Sequence, residues 1–544
     1  MMKTKTNILI GIGGTGAKIV ESALYVLASG IGPADGVHVG LIDQDNSNGN
    51  VERTERLLNL ICRMQQELTT GSNKLDWTDP NEAERTALLS IPLRKLFADR
   101  DQSHWRPAPE RLTNLRDILQ HDRMTAAQRD LFDLLFRPAG APEAEKEQDL
   151  VLAEGYRGRA HVGSAALLSA LHDDSPEFLT TMKDLMKNRS NTGGEVRIML
   201  AGSLFGGTGA AGFPTVARSL DRLRQPGNTD RIQADAVRIG GVLMLPYFSF
   251  RDPDDSSANV ITTAQLLPQA KVAVNYYDRL IEQEGVFDHL YICGWEKMIE
   301  LNYHEPGRGE QKNPALLPEL VAALGVVDFF TVDAVETRSQ PLMAARRSAD
   351  ALTWGDLPVV DHLRSVLFER LAQALRFSVV WRNRTEPGMN DRVKRNMLSR
   401  SVEIRSAWIR RLTEGTDWQG ATAILRDDLK QLTGGMIEWA ASLRLFSPLR
   451  LELWNPEPLL SRSDKKKPQH PIDLHEQRSE DETLGDVTQI VLPADPKQMP
   501  AGSAVIFDAL NAETQHGKSS GLGRLIAAVH RASRPFHKLE QTNG

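Results

Sequence analysis

The stretch IMLAGSLFGGTGAAGFP, Ile198–Pro214, passes from apolar residues directly into a glycine-rich turn that contains no lysine. Residues 198–201 are apolar at every position, as in a strand buried on both faces of a parallel sheet. The glycines therefore fall at a strand's end. Ala217, Leu220 and Leu223 follow at helical spacing, which puts Gly206, Gly207, Gly209 and Gly212 between a strand and a helix. Glycine at such a junction admits positive φ and lets backbone N–H groups crowd around an anion. For one loop alone, a tight turn that needs glycine only for packing is the alternative.

A second junction of this kind opens the chain. NILIGIGGTGAK, Asn7–Lys18, carries Gly11-Ile12-Gly13-Gly14-Thr15-Gly16, which fits G-x-G-x-x-G between a strand and a helix. The next strand, in GVHVGLIDQDN, ends in Asp43-Gln44-Asp45-Asn46 and completes a βαβ unit. A dinucleotide fingerprint is compatible with this unit, but Asp43 lies beyond the usual spacing of about 20 residues and the 206–212 loop has no place in it. The P-loop pattern is not met, because Ala17 follows Gly16, Lys18 comes one place late and no Ser or Thr follows it. Two lysine-free glycine loops instead suggest two helix N-termini converging on one polyphosphate.

The bulk composition frames this reading. The 544 residues have room for two or three domains, and 41% apolar with 25% charged residues is an ordinary globular balance. A net charge of −6 argues against a basic nucleic-acid surface. Cys62 and Cys293 are too few for a disulfide framework or a zinc site, and no apolar run reaches the about 18 residues of a membrane span, so a cytoplasmic protein is expected. The pattern predicts an α/β fold with a doubly wound, mostly parallel sheet over residues 1–335. A polar, helical insertion outside that sheet is expected at about 50–149. Residues 336–460 read as a helix-rich second domain, 461–486 as a mobile linker poor in large apolar residues, and 487–544 as a segment with short strands at TQIVL and SAVIFDAL and a closing helix.

AGSLFGGTGAAGFP resembles the glycine-rich signature of the tubulin and FtsZ superfamily, with Gly206, Gly207, Thr208, Gly209 and Ala210 matching, and the chain resembles a divergent bacterial member. Phe205 stands where that family commonly has another glycine, Ala211 replaces the final one and Gly212 comes a place late. The other loops follow in the family's order over roughly residues 6–335: IGIGGTGAK as the first phosphate loop, LIDQDNSN as the second, GYRGRAHVG with Gly158 and Gly163 as the third, then LPYFSF and VFDHLYICGWEKM. The resemblance implies GTP or GDP, with Mg2+, held by Gly11, Gly13, Gly14, Thr15, Gly16, Gly206, Gly207, Thr208, Gly209 and Ala210. Asp43, Gln44, Asp45 and Asn46 would face magnesium waters or the ribose, although Asp43 and Asp45 could equally end a strand and cap a helix. Arg159, beside Gly158, is a candidate for the γ-phosphate, an exposed arginine being the alternative. Cys293, Gly294 and Trp295 stand where the family has its base-contacting asparagine, and Asn313 is the substitute candidate.

The family resemblance further implies head-to-tail assembly of like subunits, with the nucleotide at the contact. Asp328 in VVDFFTVD aligns with the first acid of the loop that the family inserts into the next subunit's site, while Val326 and Thr331 replace its other polar residues. Hydrolysis is therefore expected to be weak or dependent on assembly. A second reading is a non-polymerising nucleotide-dependent switch, as in a conflict or defence system, that binds partner proteins through 50–149 and the C-terminal region. A third, an NAD-dependent oxidoreductase, has His161, His289 and His304 available but no recognisable catalytic context for them.

Overall fold

The computed structural model describes residues 4–45, 47–78, 86–97, 103–107, 113–136, 147–156, 158–172, 177–225, 232–250, 263–295, 297–301, 312–333, 351–359, 361–387, 389, 407–412, 420, 422–461, 469–474, 489–493, 502–512 and 519–534. In chain order the first elements are β1 (Lys5–Ile12), α1 (Gly13–Ala28), β2 (Val37–Ile42), α2 (Gly49–Thr70), β3 (Leu93–Lys95), β4 (His104–Trp105), α3 (Leu115–Ile118) and α4 (Ala126–Leu135). Then come α5 (Ala160–His172), α6 (Glu177–Ser190), β5 (Glu195–Ser203), α7 (Thr208–Arg224), β6 (Val237–Met244), β7 (Phe248–Phe250), α8 (Thr263–Glu282), β8 (His289–Cys293), β9 (Ile299–Leu301) and α9 (Leu317–Thr331).

Among the described residues the main sheet has the order β3-β2-β1-β5-β6-β8, with β4 following β3 along the same edge of β2, and every pairing is parallel. Side chains alternate between two cores, as the period of a strand requires. Leu9, Met199, Ala201 and Val242 face one core, with α1, α2 and α9. Ile8, Ile10, Ile198, Leu200 and Ile239 face the other, with α5, α6 and α7. The sheet is thus covered on both faces, which is why β1 and β5 read as continuous apolar runs.

The segment 50–149 corrects the expectation of an insertion outside the sheet. Its helix α2 packs Leu58 and Ile61 into the core beneath α1, and β3 and β4 extend the sheet itself. Its charged, proline-containing sequence disguised strands of three and two residues, too short to show a period.

The helix-rich region that follows shares the α1 core. Rings of Tyr25 and Trp439 lie 5.2 Å apart, the Trp439 indole donates to the Ser22 hydroxyl at 3.1 Å, and Arg63 pairs with Asp428 at 2.6 Å. Of the stretch 461–486, residues 462–468 and 475–486 lie outside the described residues, while Ile472 is buried and Leu474 bridges Leu460. The strands expected at TQIVL and SAVIFDAL are corrected too: Val491 makes an isolated bridge to Trp454, and Ser503–Ala512 is a helix. Short apolar runs fit either state, and packing against helix 521–532 decides for the helix.

Candidate functional site

β1 and β5 are neighbours at the point where successive strands depart in opposite directions, β2 and β3 to one side and β6 and β8 to the other. In open α/β sheets the crevice at the carboxyl ends of such strands is where ligands bind. Both glycine loops lie there. α1 starts at Gly13, directly after β1, and α7 starts at Thr208, separated from β5 by residues 204–207. Neither helix has a side-chain cap or an acidic residue in its first turn. Their leading N–H groups and positive dipole ends are therefore left uncompensated by those helices' own caps and first turns.

The two loops touch. Gly13 has φ +73°, and a Cβ there would lie 2.9 Å from the Gly209 nitrogen, so only glycine allows the approach. Gly206 also has positive φ, +85°, but a Cβ there would meet nothing within 4 Å. The crest of the second loop faces open space. Gly14, Thr15, Gly207 and Ala210 are half-buried around it, and Gly11, Gly16 and Gly209 lie underneath.

Asp43 closes the arrangement from the side of β2. Its Oδ1 accepts from the Thr208 hydroxyl at 2.8 Å and its Oδ2 from the Asn48 side chain at 2.8 Å. Burial, and next the Asp45 charge, raise the Asp43 carboxyl above its ordinary range, while Thr208 and His104 oppose this. Asp45 Oδ1 takes the Ser47 backbone and hydroxyl at 2.8 and 3.0 Å, and Gln44 is buried beside it. Asn46 lies outside the described residues. Both Asp43 oxygens are thus already bonded within the protein, and among the described residues no group of three His, Cys, Asp or Glu side chains could hold a metal. The site fits an anion on its glycine loops; it does not fit a magnesium ion chelated by the protein alone.

The third loop brings Tyr156 and Gly158 against the second: a Cβ at Gly207 would lie 2.9 Å from the Tyr156 Cβ and 3.2 Å from the Gly158 nitrogen. Arg159 is turned to Glu147, at 3.6 Å, which also takes His161 at 3.1 Å. Asn313 has its backbone fixed from α2, the N–H donating to Asn50 Oδ1 at 3.0 Å and the carbonyl accepting from Arg53 at 2.9 Å. Trp295 is half-buried against the core.

Asp328 is far from these loops in the architecture. It lies in the last full turn of α9 and not in a loop beyond it, and its Oδ2 accepts from the Tyr291 hydroxyl at 2.6 Å. The carbonyls ending α9 are held at the opposite, amino-terminal edge of the sheet. Arg197 donates to Phe329 and Val332, and Lys5 to Val332.

Sequence reasoning missed the support beneath the loops. Lys18, one turn after Thr15, is 2% exposed and pairs at 2.5 Å with Glu319, which is 0% exposed on α9. The Tyr247 hydroxyl donates to Glu319 at 2.6 Å, and Glu319 in turn accepts the Leu316 N–H at 2.9 Å. Burial raises the Glu319 carboxyl against the opposing Lys18 charge and lowers the Lys18 amine against that of Glu319. Lys18 is therefore a structural cation. Its position one residue out of P-loop register was the available signal.

Compared with known proteins, the chain matches no protein-family model and no curated protein. No helix among the described residues is long and apolar enough to cross a membrane.

Proposed function

We propose that the chain is a tubulin-like GTP-binding protein, its triphosphate held by the two glycine loops at the end of β1 and β5. The observation that carries this is the contact of Gly13 with Gly209 at the strand-order reversal, which aims two helix N-termini free of side-chain caps at one place. Backbone N–H groups of both helices would bond the phosphate oxygens, and the crest at Gly206 leaves room for them. Head-to-tail assembly is the accompanying reading. It is supported by the glycine loops and the end of α9 occupying opposite edges of the same sheet, so that one subunit's α9 end can face the next subunit's loops. Magnesium would arrive with the nucleotide.

The test is calorimetric titration with GTP, ATP and NAD of the wild-type chain and of Ala210→Asp. A carboxylate in the first turn of α7 favours the helix by about 0.3–1 kcal/mol yet repels a triphosphate. GTP binding that Ala210→Asp abolishes without lowering the melting temperature is expected. Binding of NAD alone, or GTP binding untouched by the substitution, would overturn the reading.

A further inference from the structure

Thr208 is the first residue of α7 and stands beside the first loop, where a Cβ at Gly13 would lie 3.5 Å from its own Cβ. Its hydroxyl donates to Asp43 Oδ1 at 2.8 Å, and the other partners of Asp43 fix the direction of that bond. Oδ1 also accepts the Asp45 N–H at 3.3 Å, and Oδ2 accepts the Asn48 side-chain amide at 2.8 Å. That amide cannot be turned over, because its oxygen accepts the Asn50 N–H at 3.1 Å. A proton on either Asp43 oxygen would therefore compete with an N–H donor. Thr208 gives its only proton to a carboxylate, and for any further partner its oxygen has lone pairs alone. An acceptor is out of place in a phosphate seat made of N–H groups, since it repels phosphate oxygens unless a cation stands between them. Lys18 on α1 is paired with Glu319 and Arg159 is turned to Glu147, so neither supplies that charge. Among the described residues no group of three His, Cys, Asp or Glu side chains could hold the cation unaided, which leaves phosphate and water as its remaining ligands. Magnesium binds in this manner, keeping several waters in an octahedral set of oxygens and taking few from the protein where a polyphosphate supplies others. Threonine hydroxyl oxygens ligate it at the helix start of P-loop sites.

We infer that the Thr208 hydroxyl oxygen is a ligand to a divalent cation carried by the nucleotide, with Asp43 as the acceptor that takes the hydroxyl proton and leaves the lone pairs for the metal. This rests on the proposed binding of GTP by the two loops. The site then takes the metal–nucleotide complex in preference to the free nucleotide. The threonine that the glycine signature would make a donor to phosphate has the opposite polarity here. Asp43, with both oxygens bonded inside the protein, touches no metal and acts through Thr208.

The test is titration of GTP in excess Mg2+ and again in EDTA, with the wild-type chain, Thr208→Ser and Thr208→Val. The wild type should bind GTP about tenfold or more tightly with magnesium than without, and Thr208→Ser should keep that ratio. Thr208→Val should lose most of it while its affinity in EDTA stays at or above the wild-type value. As a second readout, electron paramagnetic resonance of free Mn2+ in the presence of GTP and each protein should show the ion held about tenfold more weakly in the Thr208→Val complex. A hydroxyl that donated to phosphate would instead cost Thr208→Val the same factor in both buffers. That result, or wild-type affinity indifferent to magnesium, overturns the inference while leaving GTP binding standing. The wild-type comparison needs no variant, so it decides the matter even if Thr208→Val fails to fold. Wild-type protein that binds GTP in neither buffer removes the underlying reading and the inference with it.

Discussion

The Thr208 hydroxyl donates to Oδ1 of Asp43 at 2.8 Å, tying the start of α7 to the end of β2 across the strand that lies between them. That strand is β1, and its glycine loop is consequently flanked on both sides by residues bonded to each other. Asp43→Ala removes both acceptors, opposite the donors of Thr208 and Asn48. Two buried donors then lack their partner. A loss of about 1–3 kcal/mol in urea denaturation is expected, and an unchanged midpoint would show that the bond is not holding the loops.

Lys18 and Glu319 make a second test, of stability. Lys18→Met leaves a buried carboxylate facing no cation, which should cost about 3–5 kcal/mol. Adding Glu319→Gln removes that charge; the amide oxygen still accepts from the Leu316 N–H, and the amide nitrogen can donate to the Tyr247 oxygen. The double variant is expected to be more stable than Lys18→Met alone when both are melted. The reverse order would mean that the pair contributes little.

Burial pushes the His530 imidazole down to about 3, the cations Arg534, Arg531 and Arg370 adding to the effect. An unfolded histidine takes its proton near pH 6.5. Between these values the unfolded chain binds a proton that the native chain refuses, so stability falls as the pH falls, by up to about 1.4 kcal/mol per pH unit. His530→Leu should flatten the dependence of unfolding free energy on pH between 6.5 and 4.5 by an amount approaching that slope. Parallel curves for the two proteins would contradict the assignment.

Deleting residues 50–149 is expected to abolish folding, because α2, β3 and β4 go with them. The exposed leucines of α4 behave differently. Leu131→Ser with Leu134→Ser should stay within about 0.5 kcal/mol of wild type. Limited proteolysis separates the cases, and a well-protected deletion variant would restore the insertion reading.

Hydrolysis should be slow. Asp328 is bonded to Tyr291 inside α9, so it lacks the free, loop-borne position from which a carboxylate could orient water. Phosphate release in the presence of GTP should be low and similar in Asp328→Asn. Turnover that climbs with protein concentration and disappears in that variant would instead identify an assembly-activated GTPase.

The long apolar strands and the glycine junctions were legible in the sequence because a strand buried on both faces leaves an unbroken apolar run, as in Ile8–Ile10 and Ile198–Ala201. The sequence could not reveal β3 and β4, where three and two residues offer no periodicity. Nor could it reveal the Lys18–Glu319–Tyr247 set, whose members are brought together by α9 crossing the face of α1 and by no local pattern. Lys18 stands one place late for a P-loop lysine, and its partner Glu319 lies on the distant helix α9. The same holds for the helix-rich region: its composition suggested a separate unit, while Trp439 and Asp428 fasten it to α1 and α2.

The pairing of β1 with β5, in register from Lys5 opposite Glu195 to Gly11 opposite Ala201, sets a schedule for the nascent chain. At typical elongation rates, roughly ten to forty seconds separate the synthesis of these two strands. Until β5 emerges, Ile8 and Ile10 pair only with β2, and the second face of β1 waits for α5, α6 and α7. The terminal helix 521–532 extends the delay, since Ser520 and Leu522 bond to Lys74 and Asn73 near the end of α2. One edge of this apolar strand therefore stays unpaired until the chain has been extended to β5.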